Sequence, residues 1–232
     1  NDHGIIRQFY QHSCGEAELV EQIRQHYPGE ISTSVRGLIR PYELDIVFKL
    51  KNLAIEYNGM YWHSESAGRN RRYHLTKYEM CQSIGIRLIQ VWESEWKMNP
   101  TLVLSRIFNA LAITPRKLHA RKCSVREISA SLAKDFLAQH HTQGGVNASI
   151  NVGLFSDDQL VAVMNCGRSR YDDSQYELLR LASMTNTNVV GGASKLFKWF
   201  IKQYTPSSVT SYCDLRWGDG KMYHALGFKL VG

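Results

Sequence analysis

The sequence predicts an α/β protein built as two domains. Three observations predict it. The chain has 232 residues, a length that suits two domains of about 100–120 residues each. Strand-like alternation and helix-like spacing follow one another along both halves. Between the halves lies Thr114-Pro115-Arg116-Lys117-Leu118-His119-Ala120-Arg121-Lys122, a basic, Pro-containing stretch that reads as a linker able to touch phosphates. The expected division is one domain over residues 1–113, the linker over 114–122, and a second domain over 123–232.

In the first half, Leu19, Val20 and Ile23 give helical spacing over Gly15–His26, and Pro28-Gly29 ends that helix. Tyr42, Leu44, Ile46 and Phe48 alternate with Glu43, Asp45 and Val47, which predicts a strand. After a turn at Lys51-Asn52, Leu53, Ile55 and Tyr57 alternate with Ala54, Glu56 and Asn58, so a hairpin is expected. Residues 70–84 read as a helix, Ile86–Trp92 as a short apolar strand, and Thr101–Ala112 as the helix that closes this half. Ser94 is a candidate cap where the strand gives way to a helix, and Glu93 beside it is a weaker ligand candidate.

The second half reads as a helix over 129–140 and strands near 150–155, 159–166 and 175–183. A helix over 192–204, a strand over 208–213, a short helix over 219–226 and a final strand follow. His140-His141 and Gln143-Gly144-Gly145 end the first of these helices, where a C-terminal cap accounts for the glycine.

Composition excludes several classes. The chain is 44% hydrophobic and 21% charged, which supports a packed core rather than disorder. No apolar run approaches the roughly 18 residues of a membrane span, so no membrane partner is expected. Asn1 to Tyr10 carries no apolar stretch of the signal-peptide kind, and a chain without an initiator Met is expected to be a fragment of a longer one. Cys14, Cys81, Cys123, Cys166 and Cys213 are scattered and contain no C-x-x-C pair, against a disulfide framework or a zinc ribbon. A reducing cytoplasm is the expected compartment. A net charge of +7 favours a polyanionic partner.

The densest chemistry surrounds the hairpin. Asp45 and Glu56 can share one face of the sheet, where two carboxylates repel unless a cation lies between them. Mg²⁺ (or Mn²⁺) suits that position, since it takes oxygen ligands and can activate a water against a phosphate. The bland alternative makes both residues the solvent face of an amphipathic hairpin. Glu56-Tyr57-Asn58-Gly59-Met60-Tyr61-Trp62-His63 argues for more, packing a carboxylate, an amide, a glycine, aromatics and an imidazole into eight positions. His63 can move protons near neutrality, and Tyr61 and Trp62 can wedge against bases or pack in a core. Ser13-x-x-Glu16 can be a capping box or can bring Glu16 to the site. His74 and Lys77, one turn apart, could face the site or solvent. Arg69, Arg71 and Arg72 form a basic cluster that could grip phosphates.

Asp45 followed by the Ile55–His63 run resembles the active-site segment of very-short-patch repair endonucleases and, still more, of related phage and homing endonucleases of the PD-(D/E)xK superfold. The resemblance implies a restriction-endonuclease-like mixed sheet flanked by helices. It implies a Mg²⁺-dependent endonuclease acting on double-stranded DNA in a bacterial or phage-infected cytoplasm. Asp45, Glu16 and Tyr57 would hold the metal, Glu56 would assist and His63 would handle protons, with Glu18 the alternative to Glu16. Asn58 stands where the lysine of the E-x-K element is usual, so an amide would orient water. The zinc cluster of the repair enzymes is not matched by Ser64-Glu65-Ser66-Ala67-Gly68.

Tyr176–Ser183 followed by Val189-Val190-Gly191-Gly192-Ala193-Ser194-Lys195 opens a helix on a glycine pair, which presents backbone N–H groups to an anion. With Tyr223-His224-Ala225-Leu226-Gly227-Phe228, this order resembles N-acyltransferase folds. A similar second domain follows the nuclease domain in the homing-type proteins. The resemblance therefore implies that Gly191, Gly192, Ser194 and Lys195, together with Arg116, Lys117, Arg121 and Lys122, grip DNA phosphate, and acyl-CoA is not expected as a partner. Two alternatives stay open: an acyltransferase that modifies nucleic acid or protein, and a DNA-binding module with a decayed nuclease site.

Overall fold

The computed structural model describes residues 14–59, 72–169, 172 and 174–231. The chain divides into two compact units, Asn1–Met98 and Asn99–Gly232. Both mix helices with sheets. Among the described residues no helix is long and apolar enough to cross a membrane.

In the first unit, α1 (Cys14–Arg24) buries Leu19, Val20 and Ile23, the stripe its spacing dictates. Strand β1 (Ser32–Ile39) pairs antiparallel with β2 (Tyr42–Phe48), and β2 pairs antiparallel with β3 (Leu53–Asn58). The β2–β3 turn is a 3-10 turn, Lys49–Lys51, closed by Asn52 in the left-handed region (φ 47°). Helix α2 (Arg72–Ser83) precedes β4 (Arg87–Trp92), which runs parallel to β3. The sheet order is β1-β2-β3-β4. Strand β3 lies between two neighbours and all six of its residues are buried, polar Glu56 and Asn58 included. On one side Leu44, Val47, Ala54 and Leu88 pack with Cys81 of α2. Tyr27 meets Phe48 edge to face with ring centroids 5.2 Å apart.

The last described helix of this unit is α3 (Glu93–Met98). It begins one residue before Ser94, so Ser94 lies inside it rather than at its cap. Trp96 is buried and its Nε1–H donates to Glu18 Oε2 at 3.2 Å.

The second unit opens with α4 (Pro100–Leu111), capped by the Asn99 side chain, which accepts from the Leu102 N–H. The sequence groups this helix with the first half; in the fold it counts with the second unit. The stretch expected to be a linker is ordered. It forms β5 (Arg116–His119) and a 3-10 turn, Ala120–Lys122. Strand β6 (Ser124–Glu127), helix α5 (Ala130–His140) and strands β7 (Ile150–Ser156), β8 (Gln159–Arg168) and β9 (Gln175–Ser183) follow. Strand β10 (Thr187–Val190) pairs parallel with β5, and α6 (Gly192–Tyr204) starts directly after it. Strand β11 (Ser208–Ser211) and α7 (Lys221–Ala225) come next, and residues 228–231 carry no strand.

The main sheet of this unit has the order β11-β9-β8-β7-β6, antiparallel except for the β11/β9 pair. Its two faces are covered differently. Leu196 and Phe200 of α6 join Val152, Leu154, Val161, Met164 and Leu178 in one core. Ala133, Phe136 and Leu137 of α5 cover Val163 and Ala182 on the other.

Candidate functional site

The first unit gathers buried charge at the centre of its sheet. The pairing that sets Ile46 opposite Ile55 brings Asp45 beside Glu56. The Asp45 backbone N–H donates to Glu56 Oε1 at 3.3 Å, and the Tyr57 backbone N–H donates to Asp45 Oδ2 at 2.8 Å. Lys77, carried in by α2, is 3% exposed and its ammonium donates to Glu56 Oε2. Burial pushes the Glu56 carboxyl up to about 7; the neighbouring Asp45 adds to the rise and Lys77 opposes it. Burial pushes Asp45 up to about 6, with the Tyr57 N–H opposing and Glu16 adding to the rise. The two adjacent carboxyls, poorly solvated, thus hold their protons more tightly than free carboxylates do.

Glu16 sits in the first turn of α1, buried, and acts electrostatically on Asp45. Glu18, the alternative to it, is engaged by Trp96. A Cβ at Gly15 would lie 2.1 Å from the Tyr57 hydroxyl, so only glycine lets the start of α1 approach that ring. The Tyr57 hydroxyl is buried without a hydrogen-bond partner among the described residues, and burial pushes it up to about 12. Asn58 is buried beside Trp92, and its Nδ2 likewise lacks a partner among them. The His74 ring lies against Tyr73 and Trp92, and its backbone carbonyl accepts from Gln90 Nε2 at 3.3 Å. Arg72 is exposed at the start of α2. Tyr61, Trp62, His63, Arg69 and Arg71 lie outside the described residues.

The second unit carries a separate arrangement where β10 meets α6. Gly191 holds φ +76° and caps α6 with no side-chain hydrogen bond, leaving the first-turn N–H groups to an outside acceptor. A cavity of about 390 Å³ lies there, lined by His119, Arg121, Gly191, Ser194, Lys195 and Lys198 among others. Lys195 is already spoken for: its ammonium donates to the carbonyls of Ala120 and Cys123. Lys198, Arg121 and His119 are exposed. Gly192 is buried with its helix. Along β5 and its turn, Arg116 donates to Gln159 Oε1 at 2.8 Å, while Lys117 and Lys122 point to solvent.

Sequence reasoning missed a feature of β9. Asn165 of β8 pairs with Arg180 but Cys166 pairs with Leu178, which leaves Leu179 as an extra, bulged residue. The pairing of β9 with β11 ends at the same place, at Leu178 and Ser211, although β9 continues to Ser183. Beyond the bulge β9 therefore runs on without β11 beside it, because β11 ends at Ser211. A cavity of about 200 Å³ lies between the last residues of β9 and the start of α6, lined by Leu181, Ser183, Asn188, Ala193, Leu196 and Met222 among others. A strand bulge is a one-residue register slip, and alternation in a single sequence does not display it.

No family model matches the chain. No curated protein matches it. Among solved structures, the chain is similar to a GNAT-family acetyltransferase from Streptococcus pneumoniae, at 12% identity over 47% of this chain and 88% of that one, with a TM-score of 0.38. It is also similar to an aminoglycoside acetyltransferase from an uncultured soil metagenomic sample, solved with trehalose, at 12% identity over 48% of this chain and 94% of that one, with a TM-score of 0.38.

These findings correct the expectation of a magnesium-dependent endodeoxyribonuclease of the PD-(D/E)xK, phage or homing type. The matched structures are acetyltransferases. In the first unit the Glu56 carboxylate is paired with the Lys77 ammonium. Among the described residues no group of three or more His, Cys, Asp or Glu side chains is gathered to hold a metal.

Proposed function

We propose that the second unit is an acyltransferase domain that takes its acyl group from a phosphorylated thioester carrier such as acyl-CoA. The observation that carries this reading is that the β9/β11 pairing ends at the Leu179 bulge while β9 continues to Ser183. It leaves a strand edge whose backbone groups a thioester-bearing arm can pair with, as an added strand does. The cavity under α6, with Leu181, Ala193 and Met222 in its wall, suits the apolar part of such an arm. The N-terminus of α6, with Arg121 and Lys198 beside it, suits its phosphates. This reading reverses the expectation that acyl-CoA is no partner.

In the reaction an acceptor nucleophile attacks the thioester carbonyl and the thiolate leaves. The leaving sulfur needs a proton. Tyr223, next to Met222 on α7, lies with its hydroxyl 3.3 Å from the Tyr212 carbonyl and 3.4 Å from Ser211 Oγ, at the end of β11. We assign it to donate that proton, and the proton shed by the acceptor nucleophile, passed through solvent, restores the tyrosine. Calorimetric titration of the full chain with acetyl-CoA tests the reading: saturable binding that weakens in Arg121→Ala/Lys198→Ala supports it, and no heat of binding ends it.

A second reading has its own observation. Arg116, Lys117, Arg121 and Lys122 follow one another along an exposed strand and turn, a pattern that can track a nucleic-acid backbone without cutting it. Duplex binding whose affinity falls steeply with salt, with no acetyl-CoA binding, would favour this one.

A further inference from the structure

The α5 face of the second sheet carries a polar cluster that the acyl-transfer reading does not use. Val163 and Ala182 pack under α5 on this face, and Asn165 and Arg180 pair one step further along the same two strands. Asn165 is 0% exposed, and neither its Oδ1 nor its Nδ2 has a hydrogen-bond partner among the described residues. Arg180 is half-buried. Its Nη1 donates to the Leu179 carbonyl at 2.7 Å, and its Nε has no partner among the described residues. An amide buried with all its hydrogen bonds unmade opposes folding, so such groups are rare unless water, an ion or a ligand completes them.

The surroundings narrow the ligand. His141, which ends α5, lies within electrostatic reach of Arg106, Arg180 and Asp214. Its Nδ1 accepts the Gln143 backbone N–H at 3.1 Å. Burial, helped by the two arginines and opposed by Asp214, pushes the ring down to about 4, so it is neutral near pH 7 and carries its proton on Nε2, as a donor. Asp214 is held by Arg216, whose Nη2 donates to Oδ2 at 2.7 Å and whose Nε donates to Oδ1 at 3.1 Å. Arg106 stacks over the Trp217 ring at 4.9 Å and adds positive charge. The groups around Arg180 are therefore rich in donors and positive, with the Asn165 amide as the cross-strand neighbour of Arg180.

We propose that Asn165, Arg180 and His141 form a binding site for a small carboxylate with an adjacent amide. The guanidinium of Arg180 and the His141 Nε2–H take the carboxylate, and the Asn165 amide pairs with the amide of the ligand. The site stands on its own donors and does not depend on acyl transfer.

The test is calorimetric titration of the full chain with N-acetylglycine, alongside thermal unfolding. Saturable binding is expected. Asn165→Leu should abolish it while leaving the melting temperature unchanged or higher, because the substitution removes an unsatisfied buried amide. Arg180→Lys, which keeps the charge but loses the planar fork, should weaken binding at least tenfold. Inorganic phosphate, which lacks the amide, should bind more weakly. The proposal is overturned if N-acetylglycine does not bind, if phosphate binds more tightly, or if Asn165→Leu lowers the melting temperature and leaves binding intact.

Discussion

The Lys77 ammonium and the Glu56 carboxylate meet inside the first unit, both almost wholly withdrawn from water. A buried pair adds little over an apolar pair of the same shape, because desolvation cancels most of the attraction, but removing one partner strands the other. Lys77→Met is therefore expected to cost about 3–5 kcal/mol. Glu56→Gln combined with Lys77→Met should recover most of that loss. Urea denaturation of the three proteins checks it; equal losses in the single and double variants would show that the pair is not coupled.

The same centre predicts a pH dependence. Asp45 rises from an ordinary 3.8 to about 6, and Glu56 from 4.5 to about 7. Both folded values lie above the unfolded ones, so the folded state binds protons more tightly. Their stabilising contribution is complete below the ordinary values and is lost as pH rises through about 6 and about 7. The first unit should lose on the order of 4 kcal/mol between about pH 5 and about pH 8. Melting curves across that range, repeated on Asp45→Asn, read it: the slope should shrink in the variant, and a stability that climbs over this range would contradict the assignment.

The sequence carried much of this architecture. Alternation through Tyr42–Phe48 and Leu53–Asn58 reproduces β2 and β3, because a period of two is a local property. Gly192–Tyr204 is likewise the helix its spacing predicts. Arg116–His119 reads as a linker in the sequence because its strand form comes from Thr187–Val190, far along the chain. Strand β1 shows no clean alternation, for Ser34 (φ 50°) and Gly37 (φ 97°) sit in the left-handed region and a bulge interrupts the pairing. The engagement of Glu56 by Lys77 crosses 21 positions, and no local pattern encodes such a contact. A basic residue facing into a helix packing reads, in sequence, like one facing water.

Lys195 and Lys198 separate structure from binding. Lys195 fastens α6 to the turn at Ala120 and to Cys123 through two carbonyls. Lys195→Met should cost about 1–3 kcal/mol, the penalty for leaving such partners unmade. Lys198 is exposed at the cavity wall. Lys198→Met should leave stability within about 0.5 kcal/mol and weaken acetyl-CoA binding several-fold. Denaturation and calorimetry on both variants divide the roles; a stability loss in Lys198→Met equal to that in Lys195→Met would remove the distinction.

Gly191 tests whether the start of α6 is a matter of backbone conformation or of space. Its φ of +76° lies where a side chain is strained, but the nearest atom a Cβ would meet is the Ala120 Cβ at 3.8 Å, an ordinary contact. Strain alone should therefore set the cost of Gly191→Ala, about 1–2 kcal/mol. Gly85 is a control in the first unit, with φ +74° and nothing within 4 Å of an added Cβ, and Gly85→Ala should cost about the same. Their effects on binding should differ. Gly191→Ala shifts the cap that directs the first-turn N–H groups and should weaken acetyl-CoA binding, whereas Gly85→Ala should leave it unchanged. If Gly191→Ala is destabilised like the control yet binds acetyl-CoA as the parent does, the helix start is a structural cap and the phosphates are held elsewhere.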